Sequence, residues 1–253
     1  MHKNKIKRLV TKLFISVTSL AQMGSIQMIS IAPAITPHTL AYETQASNSA
    51  STSSTVTFEG QQLRVGLQVG HWHNQEPPSE LYWIKRNTGA QDGEFTEFES
   101  NYMIAMETKR ELETHGLIVD ILPAVVPPQY EADVFVTIHA DGSPKEETNG
   151  FKVAAARKDV TKKAHLLAQS IEEAYGQTTK LRHDHEHITE NMTDYYAFAW
   201  NRFDHAISKE TPGAILETGF VTNEYDRYYI VHNPQVPARG LAKGIINYLE
   251  AHA

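Results

Sequence analysis

From Leu63 onward, short apolar runs alternate with longer segments of helical spacing, and this alternation restricts the chain more than any other feature. Leu63 to Val69 alternates in apolar character and stops at Gly70-His71, as a strand does. Thr96-Glu97-Phe98-Glu99 has the Thr-x-x-Glu spacing of a capping box and opens a helical segment. Phe98, Tyr102, Ala105 and Leu112 share one stripe of it, and Gly116 suits the left-handed position beyond its end. Leu117 to Leu122, Val134 to Ile138, Phe151 to Ala156 and Ala214 to Leu216 read as further strands. Val160 to Tyr175, the aromatic stretch Asp194 to Ile207, and Pro237 to Ala251 read as helices. Strands alternating with helices predict an open, mostly parallel twisted sheet with helices on both faces, in one domain over residues 61–253.

The preceding residues have another character. Lys3, Lys5, Lys7, Arg8 and Lys12 are followed by an apolar but interrupted stretch, and small residues appear at Ala32-Pro33-Ala34 and Leu40-Ala41. A basic region, an apolar region and a small-residue exit predict an export signal over residues 1–41 and a secreted protein. Gln22, Gly24, Ser25 and Gln27 break the apolar stretch, so a stable membrane span is not expected. The Ser- and Thr-rich residues 42–60 read as a linker that cannot bury a core.

Composition removes several classes. The chain has no cysteine, which excludes disulfides, thiolate metal sites and a thiol nucleophile. Of its 23 Lys and Arg, five precede residue 42, and none of its 30 Asp and Glu does. The remainder is distinctly acidic, which argues against nucleic acid as a partner.

Three strand readings run directly into a titratable side chain: Val69-Gly70-His71, Val136-Thr137-Ile138-His139 and Ile215-Leu216-Glu217. Parallel sheets place ligands at the carboxyl ends of their strands, so these groups can converge. Two imidazoles and a carboxylate suit a hydrolytic zinc site. Each alone is more often a hydrogen-bonded structural residue.

Together with their neighbours these residues resemble the zinc-dependent N-acetylmuramoyl-L-alanine amidases of the AmiC/CwlV type. The resemblance rests on Gly70-His71, then Glu97 with Asn101, Ile104-Ala105 and Gly116, then Ala132-Asp133 and Thr137-Ile138-His139-Ala140. Leu216-Glu217-Thr218-Gly219-Phe220-Val221-Thr222-Asn223 completes it. It implies Zn2+ held by His71, Glu97 and His139, Glu217 as the catalytic carboxylate, and peptidoglycan as substrate. Two departures stand out. Gln68-Val69 replaces the usual Asp-Pro before Gly-His, and Leu122 to Pro128 replaces an Arg-containing stretch, which implies a different wall of the substrate groove.

Glu99, His73 and the tract His183, His185, His187 compete as ligands. With Thr96 as N-cap, Glu99 sits where it can reach back to the Thr96 amide, which leaves Glu97 free for the strand ends. His73 reads as an exposed loop residue and the histidine tract as a polar loop. Asp194 to Trp200 has the aromatic surface to stack on a sugar or peptide, although such runs more often pack in a core. A zinc metallopeptidase acting on stem peptides would use the same residues. A non-catalytic wall-binding or regulatory relative would usually lack the carboxylate that Glu217 supplies.

Overall fold

The computed structural model describes residues 62–252, and the expected export signal and linker lie outside them. Five strands form the main sheet in the order β4-β1-β5-β7-β6. They are β1 (Arg64–Val69), β4 (Ile118–Leu122), β5 (Val134–Asp141), β6 (Lys152–Ala155) and β7 (Gly213–Phe220). β1 pairs in parallel with both β4 and β5, and β5 in parallel with β7, whereas β6 runs antiparallel to β7 at the edge. A two-residue hairpin, β2 (Gln91–Asp92) with β3 (Phe95–Thr96), stands apart.

The two faces follow from the period of two along each strand. Val134, Val136, Ile138 and Ala140 of β5, with Val65, Leu67 and Val69 of β1, point into a core shared with three long helices. These are α1 (Glu97–Glu113), α2 (Ala164–Thr179) and α5 (Gln235–His252). Phe135, Ala154 and Ile215 point the other way, into a second core closed by short helical pieces. Those pieces are the turn Ser79–Ile84, helix α3 (Glu190–Thr193) and the turn Tyr196–Phe198.

β1 and β5 are neighbours, yet the chain leaving β1 goes to β4 on one side while the chain leaving β5 reaches β7 on the other. Such a reversal opens a crevice at the carboxyl ends of the two strands. No helix among the described residues is long and apolar enough to cross a membrane.

Several expectations are corrected. Asp194 to Ile207 is not a helix; only Tyr196–Phe198 forms a turn. Its aromatic residues are adjacent rather than helically spaced, and burial of Tyr196 and Phe198 flattens the segment against the sheet. α2 begins at Ala164 rather than Val160, because the Asp159 carboxylate accepts from the Ala164 amide and starts the helix there. β5 and β7 run past His139 and Glu217, so both lie inside strands, not at their ends. Between β1 and Glu94 the chain forms the Ser79–Ile84 turn and the first strand of the hairpin. Helix α4 (Glu224–Ile230) was not anticipated; its signal was Asn223, whose side chain accepts from the Asp226 amide as an N-cap.

Candidate metal centre

His71, Glu97 and His139 come together at the crevice between β1 and β5, their donor atoms all within 4.8 Å of one another. Each arrives from a different element. His71 follows β1 in a left-handed conformation, φ 65°. Glu97 opens α1, on the far face, and reaches over the end of the sheet. His139 follows the core residue Ile138 in β5, so the period of two turns it away from the helical core. Gly70 makes room for it: a Cβ there would stand 2.5 Å from the His139 ring.

Glu97 is the hub. Its Oε1 accepts from His139 Nδ1 at 2.9 Å and from the Ala140 amide at 3.1 Å, and lies 3.2 Å from His71 Nε2. Its Oε2 accepts from the Ala90 amide at 2.7 Å. Gly89, at φ +74°, allows that close approach, since a Cβ would fall 2.2 Å from Oε2. Burial opposes ionisation of Glu97, but the hydrogen bonds and charges of His139 and His71 hold its carboxyl below the usual range. Burial likewise disfavours the His71 cation, and the Glu97 hydrogen bond and charge more than offset it, so the imidazole lies above its ordinary value.

Two imidazoles and an ionised carboxylate fit a zinc ion. Ligand atoms of tetrahedral zinc at its usual bond lengths lie about 3.4 Å apart. The 3.2 Å and 2.9 Å separations to Glu97 Oε1 are close to that.

Glu217 is the direct cross-strand partner of His139, and Lys152 in turn pairs with Glu217, so one row crosses the sheet beside the cluster. Burial pushes the Glu217 carboxyl well above its ordinary value; Asp141 and Glu97 add to that and Lys152 opposes it. Lys152 is buried and its ammonium lies 2.5 Å from Asp141.

The rivals are placed elsewhere. Glu99 is exposed and accepts from the Thr96 hydroxyl at 2.5 Å. The expected capping box is thereby corrected: the Thr96 side chain makes no hydrogen bond to a helix amide, because its hydroxyl is engaged by Glu99. His73 is exposed and packs edge-on against Trp72. His183 faces Glu172 at 3.2 Å and His187 faces Asp184 at 2.7 Å, and the tract forms no metal cluster among the described residues.

Sequence reasoning missed Tyr195, whose hydroxyl lies 3.3 Å from His139 Nε2, and the amides of Ala90 and Ala140. Backbone donors leave no trace in residue type. Lys152, a lysine within an apolar strand, was a visible signal. The two departures from the family pattern meet in space. Gln68 donates to the Ala124 carbonyl and to the Tyr196 hydroxyl, and that hydroxyl also accepts from the Val126 amide.

Residues 124–247 match the family model described as N-acetylmuramoyl-L-alanine amidase. This is the family that the sequence motifs resemble. The matched stretch includes His139 and Glu217 and begins after His71 and Glu97. No curated protein matches the chain in sequence. Among solved structures it resembles an N-acetylmuramoyl-L-alanine amidase of Clostridium difficile 630, at 18% identity and a TM-score of 0.58. That likeness covers 76% of this chain and 99% of the other. It also resembles amidase AmiC2 of Nostoc punctiforme, at 20% identity and TM-score 0.54, over 75% and 98% of the two chains. The catalytic domain of the amidase CwlV of Bacillus (Paenibacillus) polymyxa aligns at 17% identity and TM-score 0.51, over 75% and 99%. At these identities the likeness establishes the fold.

Proposed function

We propose that the protein is a zinc-dependent peptidoglycan hydrolase that cleaves the amide between N-acetylmuramic acid and the L-alanine of the stem peptide. The convergence of His71, Glu97 and His139, with Glu217 one strand away, carries this reading. Zinc held by the three would supply a Lewis acid for the amide carbonyl and lower the pKa of a water to about 7.

The chain's own residues do the rest. Glu97, ionised and fixed by two imidazoles and two amides, keeps the donor set in place before any ligand arrives. Glu217 takes the proton of the attacking water on its carboxylate and returns a proton to the alanine nitrogen as the amide breaks. Burial raises its pKa, which makes the carboxylate a stronger base toward the attacking water. Tyr195 covers the far side of the His139 ring, edge-on at 5.5 Å, and limits its rotation.

We further propose that residues 1–41 direct export, so that the enzyme meets its substrate at the cell wall. The basic and apolar order of that segment supports this. N-terminal sequencing of material from the native host is expected to begin between Ile35 and Thr55, and a start at Met1 in the cytosol would refute it.

The deciding measurement is mass spectrometry of fragments released from purified peptidoglycan. Release of intact stem peptides with a free L-alanine amine is expected. Cleavage within the stem would assign a peptidase instead, and binding without release would assign a wall-binding protein.

A further inference from the structure

A cavity of about 420 Å³ opens beside the metal cluster, with His71 itself as part of its wall. Trp72 and Phe98 supply its aromatic surface, and His73, Arg86 and Thr88 its polar one. No carboxylate lines it. That is notable in a chain with 30 acidic residues against 23 basic ones. The larger groove near α4, lined by Asp92, Glu146, Glu147 and Glu224, shares no residue with it and has the opposite polarity.

Arg86 is the permanent cation of this cavity. Among the described residues it has no ion-pair partner, whereas Arg64, Arg157, Arg182 and Arg227 each face a carboxylate. Its backbone is held in the left-handed region at φ 55°, and so are those of His71 and His73, at 65° and 53°. Non-glycine residues hold that conformation only where the surroundings enforce it. Here the Arg86 amide donates to the Asn74 carbonyl at 3.1 Å, and the Asn74 side chain donates to the Asn87 carbonyl at 2.5 Å. His71 Nδ1 lies 3.0 Å from that same carbonyl. The loop bearing Arg86 is therefore tied to the ligand His71 by direct hydrogen bonds.

We infer that this cavity is a carboxylate subsite in which Arg86 binds a free carboxylate of the substrate peptide close to the scissile amide. The inference rests on the amidase reading above. The muramoyl side of that amide has spent its only carboxyl in the bond itself. A free carboxylate near His71 must then come from the peptide side, from an acidic residue next to the alanine. Arg86 can meet it with paired N–H donors and Thr88 with a hydroxyl, while Trp72 and Phe98 cover the methylenes. A substrate whose acidic residue is amidated offers no charge and should be the poorer ligand.

Two compounds test this: N-acetylmuramoyl-L-alanyl-γ-D-glutamyl-L-lysinamide, whose one free carboxylate is the glutamyl α-carboxyl, and its D-isoglutaminyl analogue, in which that carboxyl is amidated. Calorimetric titration into the metal-free full chain measures binding without turnover, and kcat/KM of the zinc-loaded protein follows hydrolysis. The wild type is expected to prefer the carboxylate on the order of tenfold in affinity. Arg86→Met should abolish the preference and Arg86→Glu should reverse it, with zinc content unchanged in both. Equal affinity of the wild type for the two compounds, or an unchanged preference in Arg86→Met, would overturn the subsite. Hydrolysis of neither compound with the binding preference intact would instead overturn the amidase reading and leave the subsite standing.

Discussion

His139 and Glu217 are direct partners across neighbouring parallel strands, in the register that also pairs Ile138 with Leu216. Their side chains share the face turned away from the three long helices. The Glu217 backbone thus lies about one strand spacing, roughly 4.8 Å, from that of a metal-ligand candidate. In the proposed mechanism Glu217 would act beside the metal without being needed to hold it.

Glu217→Gln should therefore separate chemistry from binding. The amide keeps the shape of the carboxylate but cannot accept a proton. A loss of about 10²–10⁴ in the rate of stem-peptide release is expected, with zinc content and thermal midpoint near wild type. Undiminished release would remove Glu217 from the mechanism.

Histidine replacements test which imidazoles hold metal. His139→Ala should lose most of the expected single zinc per chain, whereas His187→Ala, which breaks only a contact to Asp184, should retain it. Metal analysis after dialysis against a weak chelator reads the difference. Zinc lost from the second variant and kept by the first would relocate the site.

The two glutamates of the α1 start differ sharply in setting. Glu97→Gln removes the charge at the hub and should weaken zinc binding strongly. Glu99→Gln alters an exposed contact with Thr96 and should cost at most about 0.5 kcal/mol of stability, with metal affinity unchanged. Competitive titration against a chromogenic chelator distinguishes them, and equal losses would contradict the placement of Glu97.

Gly89→Ala should disrupt the cluster without touching a ligand. The new methyl would be forced against Glu97 Oε2 and His71 Cδ2, at a backbone φ that disfavours side chains. A stability loss of about 1–3 kcal/mol is expected, with weakened zinc binding. A variant as stable and as zinc-loaded as wild type would show that the 86–89 loop does not clamp the site.

Much of this was readable in the chain. Leu63 to Val69 and Val134 to Ile138 had to become strands because their apolar residues match a sheet period and are too short for helices. His71 and His139 could be named as candidates because strand ends mark where side chains emerge, whereas Glu97 entered only through the resemblance and the cap position separated it from Glu99. Local pattern failed where long-range contacts decided. Asp194 to Ile207 has the composition of a helix, yet burying Tyr196 and Phe198 against the sheet broke it into turns. β5 and β7 ran beyond their apolar cores because each continued to find a partner, His139 beside Glu217, across a gap of 78 residues in sequence. The sequence by itself determined the strand and helix types and the kinds of donor available for a metal, since periodicity and side-chain chemistry are local. Only the tertiary structure decided that Glu97 crosses from the helical face to meet His71 and His139, that the Ala90 amide holds it there, and that Arg86 stands beside them. Those relations depend on strand order and on backbone groups, which are the same in every residue and so leave no mark in the letters.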